Sequence, residues 1–317
     1  MHRYIIKRLL LMIPVIIGVS FLVFFIMDLA PGDAVDILVP EGATAEDLEA
    51  IRHDLGLDQP VIVRYVKYMG GMLHGDMGVS YVSKTDVFDT YMEKLPATIK
   101  LSFASILVSI LLSVPLGIYS ATRQGTVQDN ISMIVAMIGL SMPNFWLGLL
   151  LIIVFSLNLG WFPSGGDQTL SSIVLPAITI GTGLMATLTR TTRSSMLDVL
   201  KQEYLRTARA KGIPEKIVIT SHALRNALIP IITIIGTQLA GVLGGSVLTE
   251  TVFAWPGVGR LIVDSLNMRD TPLVTGSIIM TTILLSIILL LVDLLYAVVD
   301  PRIKAQYVAK RGKKKHG

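Results

Sequence analysis

Apolar runs long enough to cross a bilayer recur along this sequence, and they constrain its fold more than any other feature. The runs cover about Leu9–Ala30, Ala97–Ala121, Ile131–Leu159, Ile173–Thr189, Ala227–Leu248 and Val274–Val299. A span needs about 20 apolar residues as a helix, and in hydrocarbon the backbone must satisfy its own hydrogen bonds. Six helices are therefore predicted, in an all-α integral membrane fold. Composition agrees, with 52% apolar residues, 16% charged residues and a positive mean hydropathy. The absence of cysteine excludes disulfides, thiolate metal sites and Cys nucleophiles. The basic start and apolar run at the N-terminus also fit a signal peptide. No A-x-A-type site follows, so a retained first helix is expected over a cleaved one.

The polar segments fix the expected topology. Lys and Arg resist translocation. With six spans and an inner N-terminus, 19 of the 27 Lys/Arg lie on inner segments. Both termini are therefore expected in the cytoplasm. The stretch 31–92 is acidic in balance and reads as an outer cap. It carries a helix stop at Pro31-Gly32-Asp33, short helices over Asp47–Leu55 and Val61–Met72, and a Gly-rich turn at His74–Ser80. Pro115 is expected to bend the second span and Pro143-Asn144 to interrupt the third. Trp161 suits a membrane interface. The fourth span is short, mildly apolar and rich in small residues that permit close packing. The expected divisions are 1–96 (first helix plus outer segment), 97–300 (transmembrane domain, with a cytoplasmic coupling loop at about 190–227) and 301–317 (basic tail).

That coupling loop is the most informative polar stretch. Arg190–Pro230 carries eight Lys/Arg against Asp198, Glu203 and Glu215. Glu203–Lys211 reads as a short amphipathic helix with Tyr204, Leu205 and Ala208 on one side. Gly212 stands where a left-handed cap would end it, and Pro214 favours the first turn of a new helix. The pattern predicts a compact elbow, with small residues at Ala208 and Ala210 allowing a partner close. A basic linker on anionic lipid is the competing reading of the charge, but it leaves the capping residues unexplained.

The motifs, taken together, resemble the membrane permease subunits of bacterial ABC importers in the dipeptide/oligopeptide/nickel family. Arg206–Gly212 (RTARAKG) with His222–Pro230 (HALRNALIP) resembles that family's form of the cytoplasmic permease signature. The general signature begins Glu-Ala-Ala. Here Arg206 and Thr207 hold the first two places, Ala208 and Gly212 match, and Pro230 lies late, as in the peptide-type branch. LGLDQPV (Leu55–Val61), HGDMGVS, GLSMPNFWLG (Gly139–Gly148), TRSSMLDVL (Thr192–Leu200), TETVFAWPGVGRL (Thr249–Leu261) and LLYAVVDPRI (Leu294–Ile303) fall in the family's order. The resemblance implies a type I ABC importer permease fold in the bacterial cytoplasmic membrane. It implies a second homologous permease, two cytoplasmic ATPase subunits holding ATP and Mg, and an extracytoplasmic binding protein. Peptide is the expected cargo, with nickel the alternative. The ATPase-coupling contact would use Tyr204, Arg206, Ala208, Arg209, Ala210, Lys211, Gly212 and Pro214.

Other residues carry two readings each. Gln238, Gly241 and Gly245, with Asn144, either line a translocation path or pack helices tightly. Trp255, Pro256 and Gly257 form either an outer gate or binding-protein contact, or an interfacial anchor. Asp28 lies near water at the outer end of the first helix. Asp293, deeper in the sixth, suits a hydrogen bond to a neighbouring helix or a proton-coupling role. No G-x-x-x-x-G-K-[ST] loop is present, and His2, His53, His74, His222 and His316 show no ligand spacing. No enzyme activity, bound cofactor, metal or nucleic-acid partner is therefore expected of this chain. An autonomous secondary transporter would show intramembrane charges, an inverted repeat or broken helices in matching halves, and a membrane sensor would use the basic loop for signalling.

Overall fold

A computed structural model describes residues 2–29, 35 and 44–299. The expected stop at 31–33 and the basic tail 301–317 lie outside the described residues. Among the described residues two compact units form, one from 2–99 with 254–287 and the other from 100–253 with 288–299.

In the first unit, α1 (His2–Leu29) is a long apolar helix, and α2 (Ala45–Asp54) and α3 (Val61–Leu73) belong to the polar segment that follows it. Helix α2 starts two residues before the expected Asp47 because Thr44 caps it. The Thr44 hydroxyl accepts from Asp47 N, and the Asp47 carboxylate accepts from Thr44 N at 2.9 Å, a reciprocal capping box. Helix α3 is fastened to α1. Tyr65 meets Phe21 and Phe24 edge-on at 5.4 and 5.7 Å, and its hydroxyl lies 2.9 Å from the buried Ser20. Asp28 does not simply face water. It pairs with Arg64 of α3.

Helix α4 (Val87–Thr122) runs 36 residues and begins ten residues before the expected span, passing through Pro96 and Pro115 without interruption. The third span is broken rather than bent. Helix α5 (Val127–Ser141) and helix α6 (Asn144–Leu151), continued by the π-helical Ile152–Asn158, meet at 96°. A proline disfavours helical backbone in the preceding residue, and Met142 is extended at φ −90°, ψ 128°. Helix α7 (Val174–Leu200) follows a 3-10 turn and extends the fourth span well beyond Thr189. Beyond the elbow come α8 (Glu203–Ala210), a turn at Glu215–Ile217, the π-helical Val218–Ala223 and α9 (Leu224–Gly245). The chain closes with α10 (Val247–Val252), α11 (Val258–Asn267) and α12 (Thr271–Val299).

Among the described residues five helices are long and apolar enough to cross a membrane, and the α5–α6 pair makes a sixth crossing if it acts as one span. The short fourth run is thus carried by a full-length helix. In the second unit, small residues set the spacing of the helices. A Cβ on Gly117 would lie 2.6 Å from Thr192, and one on Gly139 would lie 2.5 Å from the Thr182 carbonyl. Buried serines 102, 105, 109, 113 and 120 run along one face of α4, as close packing in lipid requires.

Candidate functional site

The polar stretch folds as an elbow whose inner half is core. Leu205 and Ala208 of α8 are buried with Leu188 and Met196 of α7, Val218 and Ala223 of the π-helical segment, and Ala227 and Ile231 of α9. This apolar cluster packs the elbow against both helices it connects. Gly212 adopts φ +74°, its N–H donates to the Arg209 carbonyl at 2.9 Å, and Ile213 N–H donates to the Ala208 carbonyl at 3.4 Å. These two bonds form a Schellman stop, completed by Ile213 packing on the cluster that holds Ala208. Across the turn, Arg209 Nε and Nη2 donate to the two carboxylate oxygens of Glu215 at 3.0 and 2.8 Å.

The elbow's coupling candidates divide by burial. Arg206, Arg209, Ala210, Lys211, Gly212 and Pro214 are exposed. Ala208 is 8% exposed, so its small size serves this chain's own packing and is not offered to a partner. Tyr204 is exposed but engaged. Its hydroxyl donates to the His222 carbonyl at 3.4 Å and accepts from Asn226 Nδ2 at 2.9 Å. Pro214 stands as the cap before the new helical turn rather than inside it.

At the stem, a buried carboxylate holds three elements together. Asp129, 2% exposed, accepts from Arg193 Nε and Nη2 at 2.8 and 2.6 Å, from the Ser120 hydroxyl, and from Gly125 N at 3.0 Å. A bidentate arginine with two further donors satisfies a carboxylate removed from water. The clamp joins the end of α4, the start of α5 and the last turns of α7.

The second feature is a cavity of about 300 Å³ in the same unit. Asn144, Gln238, Gly241 and Gly245 all line it, with Gly183 and Ser246, and Leu140, Ile180, Leu184 and Val242 form its apolar wall. The break at Met142-Pro143 delivers Asn144 to this position, and Gly183 makes room for it, since a Cβ there would lie 2.7 Å from Asn144 Oδ1. A Cβ on Gly241 or Gly245 would meet nothing within 4 Å, so these two glycines are not packing contacts within the chain. Gln238 Nε2 donates to the Leu184 carbonyl at 3.0 Å.

Residues 113–305 match the family described as binding-protein-dependent transport system inner membrane component, and residues 1–102 match its N-terminal companion. The chain belongs to that family. The oligopeptide transport system permease protein AppB of Bacillus subtilis is 44% identical over 315 residues, covering 96% of this chain and 100% of the relative. The glutathione transport system permease protein GsiC of Escherichia coli K12 is 41% identical over 304 residues, covering 96% and 99%. A chain of the inward-facing MetNI methionine ABC transporter shares the fold at a TM-score of 0.53 and 20% identity, covering 67% of this chain and 97% of its own. The fold is that of type I ABC importer permeases, and the chain is a multi-pass component of the inner membrane.

In this permease the outer segment corrects one expectation. Trp255 is 3% exposed, and its indole N–H donates to the Ala97 carbonyl at 2.9 Å. Gly257 is buried and Pro256 half-buried, while Val258 N donates to Thr98 Oγ1 at 2.8 Å. The Trp-Pro-Gly turn therefore pins α11 to α4 and presents no indole to a binding protein or an interface. Trp161 and Trp146 are the exposed tryptophans, Trp161 lying 5.7 Å from Phe155. Sequence reasoning also missed Asp270, which is buried and accepts from Ser80 Oγ, Tyr81 N, Val82 N and Leu273 N. It fastens the Gly-rich outer turn to the start of α12. Asp293 is half-buried and has an interaction partner.

Proposed function

We propose that this permease is one half of the membrane channel of a peptide importer, moved by ATPase subunits that seat on the exposed rim of the elbow. A second, homologous permease would complete the channel, two ATPases would supply energy from the cytoplasm, and an outer binding protein would deliver cargo. Peptide cargo is supported by the names of the relatives and by a cavity whose polar groups are carboxamides and a hydroxyl. Nickel uptake is the alternative that the assay must include. The charge distribution supports cytoplasmic N- and C-termini, which would put the elbow within reach of ATPases.

The observation that carries the coupling role is the buried stem. Force applied to Arg206, Lys211 or Gly212 would pass to α7 and α9 through Leu205, Ala208 and Val218, which are buried in the cluster that both helices share. Rocking of those helices would alter the cavity, which both of them line. The test is uptake of labelled di- to pentapeptides and of nickel in cells with and without this chain. Peptide uptake that depends on the chain and on ATP supports the reading. Uptake by the chain alone in liposomes, without ATPases, overturns it.

A further inference from the structure

Helix α3 carries an apolar stripe that its own chain leaves open. At 3.6 residues per turn, Ile62, Val66 and Leu73 fall on one line along the helix, and they are 64, 63 and 81% exposed. The neighbouring face is occupied. Tyr65 and Tyr68 pack on Phe24 of α1, and Met69 Sδ accepts from the Ser20 hydroxyl at 3.6 Å. The two charges of α3 stand off the stripe. Arg64 is paired with Asp28. Lys67 is exposed and lies one residue on from Val66, about 100° round the helix.

What covers the stripe follows from its depth, because Tyr68 touches two membrane-length helices at matching places. Its ring lies 5.9 Å from that of Phe24, five residues before the α1 span ends at Leu29. A Cβ on Gly276 would lie 3.3 Å from its hydroxyl, five residues after the α12 span begins at Thr271. At 1.5 Å per residue, both contacts lie about 7–8 Å inside the span ends. On either side the chain comes back to those ends, Arg64 at Asp28 and Gly78 at Pro272, 3.6 Å from where its Cβ would stand. Helix α3 therefore runs along the membrane plane, at the depth of about 5–10 Å where amphipathic helices bury an apolar face in lipid. We infer that α3 is an interfacial helix whose Ile62, Val66 and Leu73 are covered by acyl chains of the leaflet at the C-terminal end of α1. Lys67, on the flank, extends its charged end to the headgroup phosphates. On the proposed topology this is the outer leaflet. The stretch expected as an outer cap thus contains a lipid anchor, whatever the cargo.

The chain has no cysteine, so a single introduced cysteine labelled with bimane reports one position in the full-length protein. The positions tested are exposed, and the substitutions leave internal packing untouched. In nanodiscs of phosphatidylethanolamine and phosphatidylglycerol, Ile62→Cys, Val66→Cys and Leu73→Cys should emit to the blue of Glu49→Cys on α2. They should also lose most of the iodide quenching seen at Glu49→Cys. Lipids with a nitroxide close to the headgroup should quench all three more strongly than lipids with the nitroxide at the chain end. Lys67→Cys should regain iodide quenching. Iodide quenching along the stripe at the level of Glu49→Cys overturns the inference. Protection from iodide and from both lipids overturns it as well, because protein rather than lipid would then cover the stripe. Equal protection at Val66→Cys and Lys67→Cys, or stronger quenching from the chain end at Leu73→Cys alone, overturns the in-plane course of the helix.

Discussion

At the scale of single residues, Gly212 and Asp129 carry the sharpest expectations. A side chain in the left-handed conformation is disfavoured by about 1–2 kcal/mol, more for a β-branched residue. Gly212→Val should therefore loosen the Schellman stop while leaving insertion intact, and ATP hydrolysis should proceed with little peptide uptake. Wild-type coupling in that variant would count against the elbow mechanism. Removing one partner of a buried ion pair costs about 3–5 kcal/mol, so Asp129→Ala should lower thermal stability in detergent far more than Glu203→Ala, whose partner Arg206 is exposed. Equal melting points for the two variants would remove the clamp from the account. These residues differ in how readable they were. Gly212 announced itself locally, by following an amphipathic run and preceding a proline. Asp129 and Arg193 lie far apart in the chain, and each looked like ordinary inner-side charge. Trp255 misled for a related reason. An aromatic beside Pro-Gly looks the same in sequence whether its ring faces lipid or a neighbouring helix.

At the scale of elements, helix α2 has a pH-sensitive end. His53 Nδ1 lies 2.8 Å from Asp58 Oδ2. That hydrogen bond and the attraction of the carboxylate raise the His53 pKa above its ordinary value, and the same bond lowers that of Asp58. The His53 contribution is complete below the unfolded histidine value and fades as pH rises through the raised folded one. The Asp58 contribution is present above the unfolded carboxylate value and fades as pH falls through the lowered one. The clasp is thus complete at mildly acidic pH and loosens on the alkaline side first. Imidazole NMR on the full chain in nanodiscs should show His53 titrating above an unpaired histidine, and Asp58→Asn should return it to the ordinary range. Helix positions were largely legible from apolar runs and caps. The 96° angle at Met142-Pro143 was not. Proline predicts that a helix is interrupted, but the direction of the next segment depends on what it packs against. Here Gly139 and Gly183 let both segments approach α7.

At the scale of the whole molecule, the cavity and the elbow share two helices, and this is the arrangement the transport cycle would use. Filling the cavity should therefore act on transport without touching the fold. Gly241→Leu is expected to leave expression and ATP hydrolysis near normal and to reduce peptide uptake by at least about tenfold, because the added side chain meets no neighbour within the chain. A variant that fails to accumulate would mean Gly241 packs after all. The all-helical architecture was readable as six apolar runs. The way the chain divides was less so, since Ala254–Ile287 joins the N-terminal unit through Trp255 and Asp270, contacts that no periodicity reveals.

The elbow's division into a buried stem and an exposed rim also bears on how such a chain diverges. Leu205, Ala208 and Ile213 answer to their own polypeptide, so they can vary only together with Met196, Val218 and Ala227. Arg206, Ala210 and Lys211 are exposed, and with an ATPase seated on them, as proposed, they would be free to drift with it. Grafting only those rim residues from a related permease should transfer compatibility with that relative's ATPase, whereas grafting the stem alone should yield a protein that misfolds. Partner choice would then be inherited separately from the channel it drives.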